Sequence, residues 1–150
     1  MLVLGIRRCN LLPLLIGAGL AVVLALGARI TRADQDRSFY PTILIVIATY
    51  YVLFAFMSGE GIVEEILVAT VFSIAAIAGG MKLPVLVGIG IFLHGVFDFL
   101  RPMFISNSGV PAWWPGFCGG VDILLGAWVI WLSFKGAAHH NTIASNQANG

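Results

Sequence analysis

The chain predicts an all-α fold, a polytopic transmembrane helix bundle of about five spans, and three observations carry that prediction. Of its 150 residues, 59% are hydrophobic and 10% charged, and the mean hydropathy of +0.98 lies far from soluble averages. The apolar residues gather into runs close to the roughly 20 residues that a helix needs to cross a bilayer. Glycine, proline and charged residues fall between those runs. This leaves room for one integral membrane domain, residues 1–136, and a small polar tail, 137–150, expected to be disordered.

The first span, 11–30, follows Arg7 and Arg8. It is longer than the about 7 to 15 residues of a signal-peptide core, so it is expected to be retained although Leu26-Gly27-Ala28 offers a small-residue cleavage pattern. The second span, 39–57, has Pro41 in its first turn, where a missing N–H costs nothing. Gly59 and Gly61 mark the turn after it. The third, 62–80, opens with Glu64 and Glu65, then stays apolar to Gly79-Gly80, read as its stop. The fourth, 83–100, starts around Pro84 and closes at Arg101-Pro102, a basic residue followed by a helix breaker. Trp113-Trp114-Pro115 leads into the fifth, 116–134, and suits an interfacial anchor. Gly116-x-x-x-Gly120 and Gly17-x-x-x-Ala21 permit close helix packing, in a compact bundle or a homo-oligomer.

Five spans put the amino terminus, the turn at 58–61 and the loop from Arg101 to Pro115 on one side of the bilayer. Residues 31–38, Met81-Lys82 and the tail fall on the other. Arg7, Arg8 and Arg101 then face Arg29, Arg32, Arg37, Lys82 and Lys135, so the positive-inside rule predicts an outside amino terminus and a cytoplasmic tail. Within this frame Glu60, Glu64, Glu65, His94, Asp98, Arg101 and Asp122 all fall toward the Arg101 side. At 1.5 Å per residue, His94 and Asp122 each lie roughly 10 Å below that face. His94 and Asp98 are four apart on one helix face, and Asp98 and Arg101 are spaced to pair.

An ionisable group inside a bilayer costs several kcal/mol unless paired or hydrated, so such a cluster is a functional-site hypothesis. Glu60, Glu64, His94, Asp98, Arg101 and Asp122 form the expected proton or ligand pocket. His94, Asp98, Asp122 and Glu64 offer one nitrogen and three carboxylates, a set that suits Fe, Mn or Zn with an open position, so a divalent metal ion is the one cofactor the residues suggest. Structural readings stand beside these. The three Glu residues suit the positive end of helix three, His94 and Asp98 can satisfy each other in a packed bundle, and Asp122 can cap helix five or hold Trp113. None of these alone explains why helices three, four and five carry polar groups toward one face and stay clean at the other. A transport path across that clean half would need Thr49, Tyr50, Thr70 and Ser73.

Gly61-Ile62-Val63-Glu64-Glu65-Ile66-Leu67 and His94-Gly95-Val96-Phe97-Asp98-Phe99 resemble two motifs of the CAAX-protease and bacteriocin-processing family of intramembrane enzymes. That resemblance implies Glu64 or Glu65 as the base that activates a water, with His94 and Asp98 binding or stabilising a developing oxyanion. The chain departs from the pattern where Ala69 stands in place of arginine, and about 30 residues separate the matches. The stretch from Phe39 to about Trp131, with Phe-Tyr-Pro-Thr-Ile-Leu-Ile-Val-Ile-Ala at 39–48 and Gly-Val-Pro-Ala-Trp-Trp-Pro-Gly-Phe-Cys at 109–118, is similar to a family of small bacterial integral membrane proteins labelled domain of unknown function 6010. This second resemblance implies a bacterial inner-membrane location and no chemistry.

A net charge of +1 without a basic stripe argues against nucleic acid as a partner, and the lipid bilayer is the partner the composition implies. No phosphate-binding glycine loop occurs. Cys9 and Cys118 share the outer side in this topology and lack any Cys-x-x-Cys partner. The leading expectation is a non-enzymatic membrane protein binding a proton, cation or small ligand. An intramembrane hydrolase and a purely structural cluster are the alternatives.

Overall fold

The computed structural model describes residues 11–148, with side chains described as far as Gly136. Arg7, Arg8 and Cys9, and the side chains of His139 and His140, lie outside the described residues. Among the described residues there are five long helices and no strand: α1 (Leu11–Thr31), α2 (Phe39–Ser58), α3 (Ile62–Lys82), α4 (Pro84–Leu100) and α5 (Trp114–Ala148). All five are long and apolar enough to cross a membrane, α4 together with the short turn after it as Pro84–Met103 and α5 over Trp114–Gly136. The backbone of α5 continues as helix past the expected end at 134 and through the polar stretch to Ala148.

The turn between α2 and α3 is built on two left-handed glycines, Gly59 at φ 75° and Gly61 at φ 66°, a conformation that disfavours any residue with a Cβ. The break between α3 and α4 falls later than the sequence suggests. Gly79 and Gly80 do not stop α3, which runs on to Lys82. Their missing side chains admit neighbours instead: a Cβ on Gly79 would meet Val87 Cγ2 at 2.6 Å, and one on Gly80 would meet Pro41 Cγ at 2.9 Å. The stop is Leu83, extended at φ −138° because the following Pro84 disfavours helical backbone at that position.

Helix α5 lies between α1 and α4, while α4 also touches α2 and α3, which pair with each other as a hairpin. Leu44, Ala76, Val87, Ile91, Leu125 and Val129 fill the centre. The α4–α5 seam is tight enough that a Cβ on Gly95 would stand 2.9 Å from the Cβ of Asp122. On the other side of α5, Gly17 abuts the carbonyl of Phe117 and Gly120 that of Leu14, so both small-residue motifs are used within the chain, α1 against α5. Outward, Leu15, Val23, Leu26, Phe56, Leu67, Val71, Ile74 and Ile77 are exposed. This extensive apolar coat suits lipid rather than water as the solvent.

Candidate functional site

Among the described residues, five acidic, basic or imidazole side chains are almost wholly buried: Glu65, His94, Asp98, Arg101 and Asp122, none more than 3% exposed. Helical spacing delivers them. His94 and Asp98 follow one another down the inner face of α4 at an interval of four, and Arg101 follows three residues on, in the single helical turn just past the end of α4. Asp122 faces them from α5, where Gly95 lets the two backbones close up. Glu65 stands in the first turn of α3 at the head of a stripe of small residues, Ala69, Ala76 and Gly79, all buried.

Two linked networks result. Nearer the membrane face, the guanidinium of Arg101 donates to Glu65 Oε1 through Nε at 2.6 Å and through a second nitrogen. Asn107, from the loop after α4, donates to the same oxygen at 3.2 Å and to the Tyr51 carbonyl at 3.3 Å. Its own carbonyl accepts from the Ser58 hydroxyl at 3.0 Å and from the Gly109 N–H at 3.2 Å. Asn107 thereby stitches the loop across the mouths of α2 and α3.

Deeper in, His94 Nδ1 lies 2.9 Å from Asp122 Oδ2 and 3.7 Å from Asp98 Oδ1. Tyr51 joins the layers: its hydroxyl donates to Asp98 Oδ1 at 2.7 Å, while the Arg101 guanidinium lies 4.6 Å above its ring. Phe72 closes the pocket from α3, its ring 4.9 Å from the imidazole with planes 72° apart. One ligand atom each from His94, Asp98 and Asp122 lie within 4.8 Å of one another, so these three can hold a metal ion.

The bonding inside this pocket is incomplete. Among the described residues, Glu65 Oε2, His94 Nε2, Asp98 Oδ2 and Asp122 Oδ1 are buried without a hydrogen-bond partner. The charge is incomplete too. Glu65 and Arg101 cancel, which leaves the carboxylates of Asp98 and Asp122 with one imidazole to share between them. Two like charges in so poorly hydrated a space repel strongly, and protons or a bound cation are what relieves them.

The expected site residues divide. His94, Asp98, Arg101, Asp122 and Glu65 come together. Glu64 does not: it is exposed, because adjacent helical residues point about 100° apart and Glu65 takes the inward direction. Glu60 is exposed as well and accepts the Ser108 N–H at 3.1 Å, pinning the loop at the surface. Asp98 takes Tyr51 rather than Arg101 as its partner. Asp122 neither caps α5 nor holds Trp113, which is half exposed; it lies two turns inside the helix. Thr49, Thr70 and Tyr50 line no path. The two hydroxyls bond their own helix carbonyls at 2.7 Å, and Tyr50 packs outward on Trp114. Cys118 is a buried free thiol. Sequence reasoning missed Tyr51 and Asn107. The spacing Leu44, Ala48, Tyr51, Ala55 marks the buried stripe of α2 and could have found the first.

The opposite end of the bundle holds no comparable cluster among the described residues. Arg29 reaches Asp34 at 2.8 Å from an exposed position. Asp36 accepts the backbone N–H and the hydroxyl of Ser38, which hold its carboxyl below the usual range. A cleft of about 540 Å³ between α2, α4 and α5 is lined there by Tyr40, Leu83, Pro84, Val129 and Leu132 and carries little polarity. No family model, curated protein or solved structure matches this chain.

Proposed function

We propose that the chain is a multi-pass membrane protein whose bundle binds a cation, a proton or a metal ion, in the pocket formed by His94, Asp98 and Asp122. The observation that carries this reading is the unbalanced pair of carboxylates, each with a partnerless oxygen, buried at 0% exposure beside a single imidazole. Lipid-facing helices that carried these residues for packing alone would be expected to satisfy them. The proposal includes a bacterial inner membrane as the setting, on the resemblance to the uncharacterised membrane family. It includes an outside amino terminus on the distribution of Lys and Arg.

The hydrolase alternative has less support. It requires a water held between Glu64 or Glu65 and His94, but Glu64 is exposed and Glu65 is engaged by Arg101 and Asn107.

The test is linkage. A ligand that binds only the folded state raises its stability as its concentration rises. The thermal midpoint of the detergent-purified protein is therefore expected to move with pH between about 5 and 8 or with added divalent cation. The double variant Asp98→Asn, Asp122→Asn, with no charge to balance, is expected to fold and to lose that dependence. A wild-type midpoint indifferent to both variables would return the cluster to a structural role.

A further inference from the structure

The pocket's geometry and charge together narrow the cation. We infer that His94, Asp98 and Asp122 bind one divalent first-row metal ion, Zn²⁺, Fe²⁺ or Mn²⁺, with open coordination positions and Tyr51 as an outer hydrogen-bond partner. This rests on the cation-pocket reading and goes one step past it.

Spacing is the first argument. Ligands bonded to such a metal at about 2.0–2.2 Å, at angles between octahedral and tetrahedral, stand about 2.9–3.5 Å apart. His94 Nδ1 is 2.9 Å from Asp122 Oδ2 and 3.7 Å from Asp98 Oδ1, and one ligand atom from each of the three residues lies within 4.8 Å of the others, so turns of the carboxylate side chains are the adjustment that an ion requires. Charge is the second. Two carboxylates and a neutral imidazole carry −2, which a divalent ion cancels, while Glu65 and Arg101 are already neutral as a pair. Ligand chemistry is the third. One nitrogen with two carboxylate oxygens favours a borderline ion over Mg²⁺ or Ca²⁺, which prefer oxygen alone.

The surround fits the same role. Carboxylates that bind metal are held by an outer hydrogen bond, and the Tyr51 hydroxyl supplies one to Asp98 at 2.7 Å. Asp98 Oδ2 and Asp122 Oδ1 remain free to turn toward an ion. Three protein ligands leave coordination positions for water or a substrate, the arrangement of reactive rather than purely structural metal centres.

The experiment uses the full chain in detergent, stripped with chelator and then dialysed against Zn²⁺, Mn²⁺ or Mg²⁺ separately, with bound metal counted per chain. One equivalent of Zn²⁺ is expected, weaker Mn²⁺ and no Mg²⁺, with binding lost in His94→Ala and in Asp122→Asn. The Asp122→Asn variant keeps a hydrogen-bonding amide opposite His94, and its helicity and monodispersity verify the fold. Tyr51→Phe is expected to weaken Zn²⁺ binding 10- to 100-fold, as removal of an outer-shell partner does, whereas Glu64→Gln leaves it unchanged. Metal that persists in His94→Ala and Asp122→Asn overturns the assignment. If no metal binds but the wild type takes up more protons on acidification than Asp98→Asn, Asp122→Asn, the metal inference fails and the cation-pocket reading stands. If neither binds, both fail.

Discussion

At the Arg101 end of the bundle, ionisable side chains from α3, α5 and the stretch from α4 to Arg101 are buried and bonded to groups 28 to 47 residues away in sequence. At the Lys82 end, Arg29 bonds Asp34 five residues on and Asp36 bonds Ser38 two residues on. Lys82 and Lys135 are exposed there. The same residue types therefore do different work. Bonds made within one turn stabilise that turn and leave the helices free to slide. Bonds between distant helices fix register and depth, and an apolar surround makes them costly to break.

This contrast can be broken most severely at Glu65. Glu65→Ala strands the buried Arg101 guanidinium, and a loss of about 3–5 kcal/mol is expected in chemical unfolding. The double change Glu65→Leu, Arg101→Leu is expected to recover most of it. A single-variant loss below about 1 kcal/mol would mean that water reaches the pair and that the two ends differ little.

Next comes Gly95→Ala, which places a Cβ against Asp122 and forces α4 from α5. Overpacking of this kind costs about 1–3 kcal/mol, and here it also spreads the His94–Asp122 contact. The imidazole resonance of His94 reports on that contact directly. A variant with wild-type stability and an unshifted resonance would show that the seam is slack.

Asn107→Ala removes the stitch across α2 and α3, with an expected loss of about 1–2 kcal/mol, since one of its bonds goes to a carboxylate. Faster hydrogen exchange in residues 104–110, with α5 unaffected, is the accompanying signature. At the far end Arg29→Ala leaves the Asp34 carboxylate, whose side chain is 5% exposed, without its ion-pair partner, and a loss of about 1 kcal/mol is expected, smaller than at Glu65 because the Arg29 half of the pair is exposed. A larger effect there would erase the distinction.

The helices were legible because the bilayer demands long apolar runs, and runs of that length have few other readings. Their ends were less so. Gly79-Gly80 looks like a stop in isolation, and only the neighbouring Val87 and Pro41 show that it is a packing surface. Depth counting along α4 and α5 found His94, Asp98, Arg101 and Asp122, since axial rise depends on residue number alone. Azimuth depends on what surrounds the helix, so Glu64 and Glu65 could not be separated by depth. The stripe from Glu65 through Ala69 and Ala76 separates them once small residues are read as the contact face. Asn107 left no periodic trace, because loops have no period.

The pairing of His94 with Asp122 also bears on how the chain is made. Helix α4 leaves the ribosome before α5, so His94 and Asp98 reach the membrane ahead of Asp122. An unpaired aspartate deep in a lone span opposes insertion by up to about 2.5–3.5 kcal/mol. The α2–α3 hairpin can enter early with only Glu65 near the surface, whereas α4 and α5 are best inserted as a pair. Helix α1, although first out, packs mainly on α5 and must wait for the last span before it can dock. Where the charges sit thus sets a timetable for assembly: hairpin, then the charged pair, then the first helix closing over it.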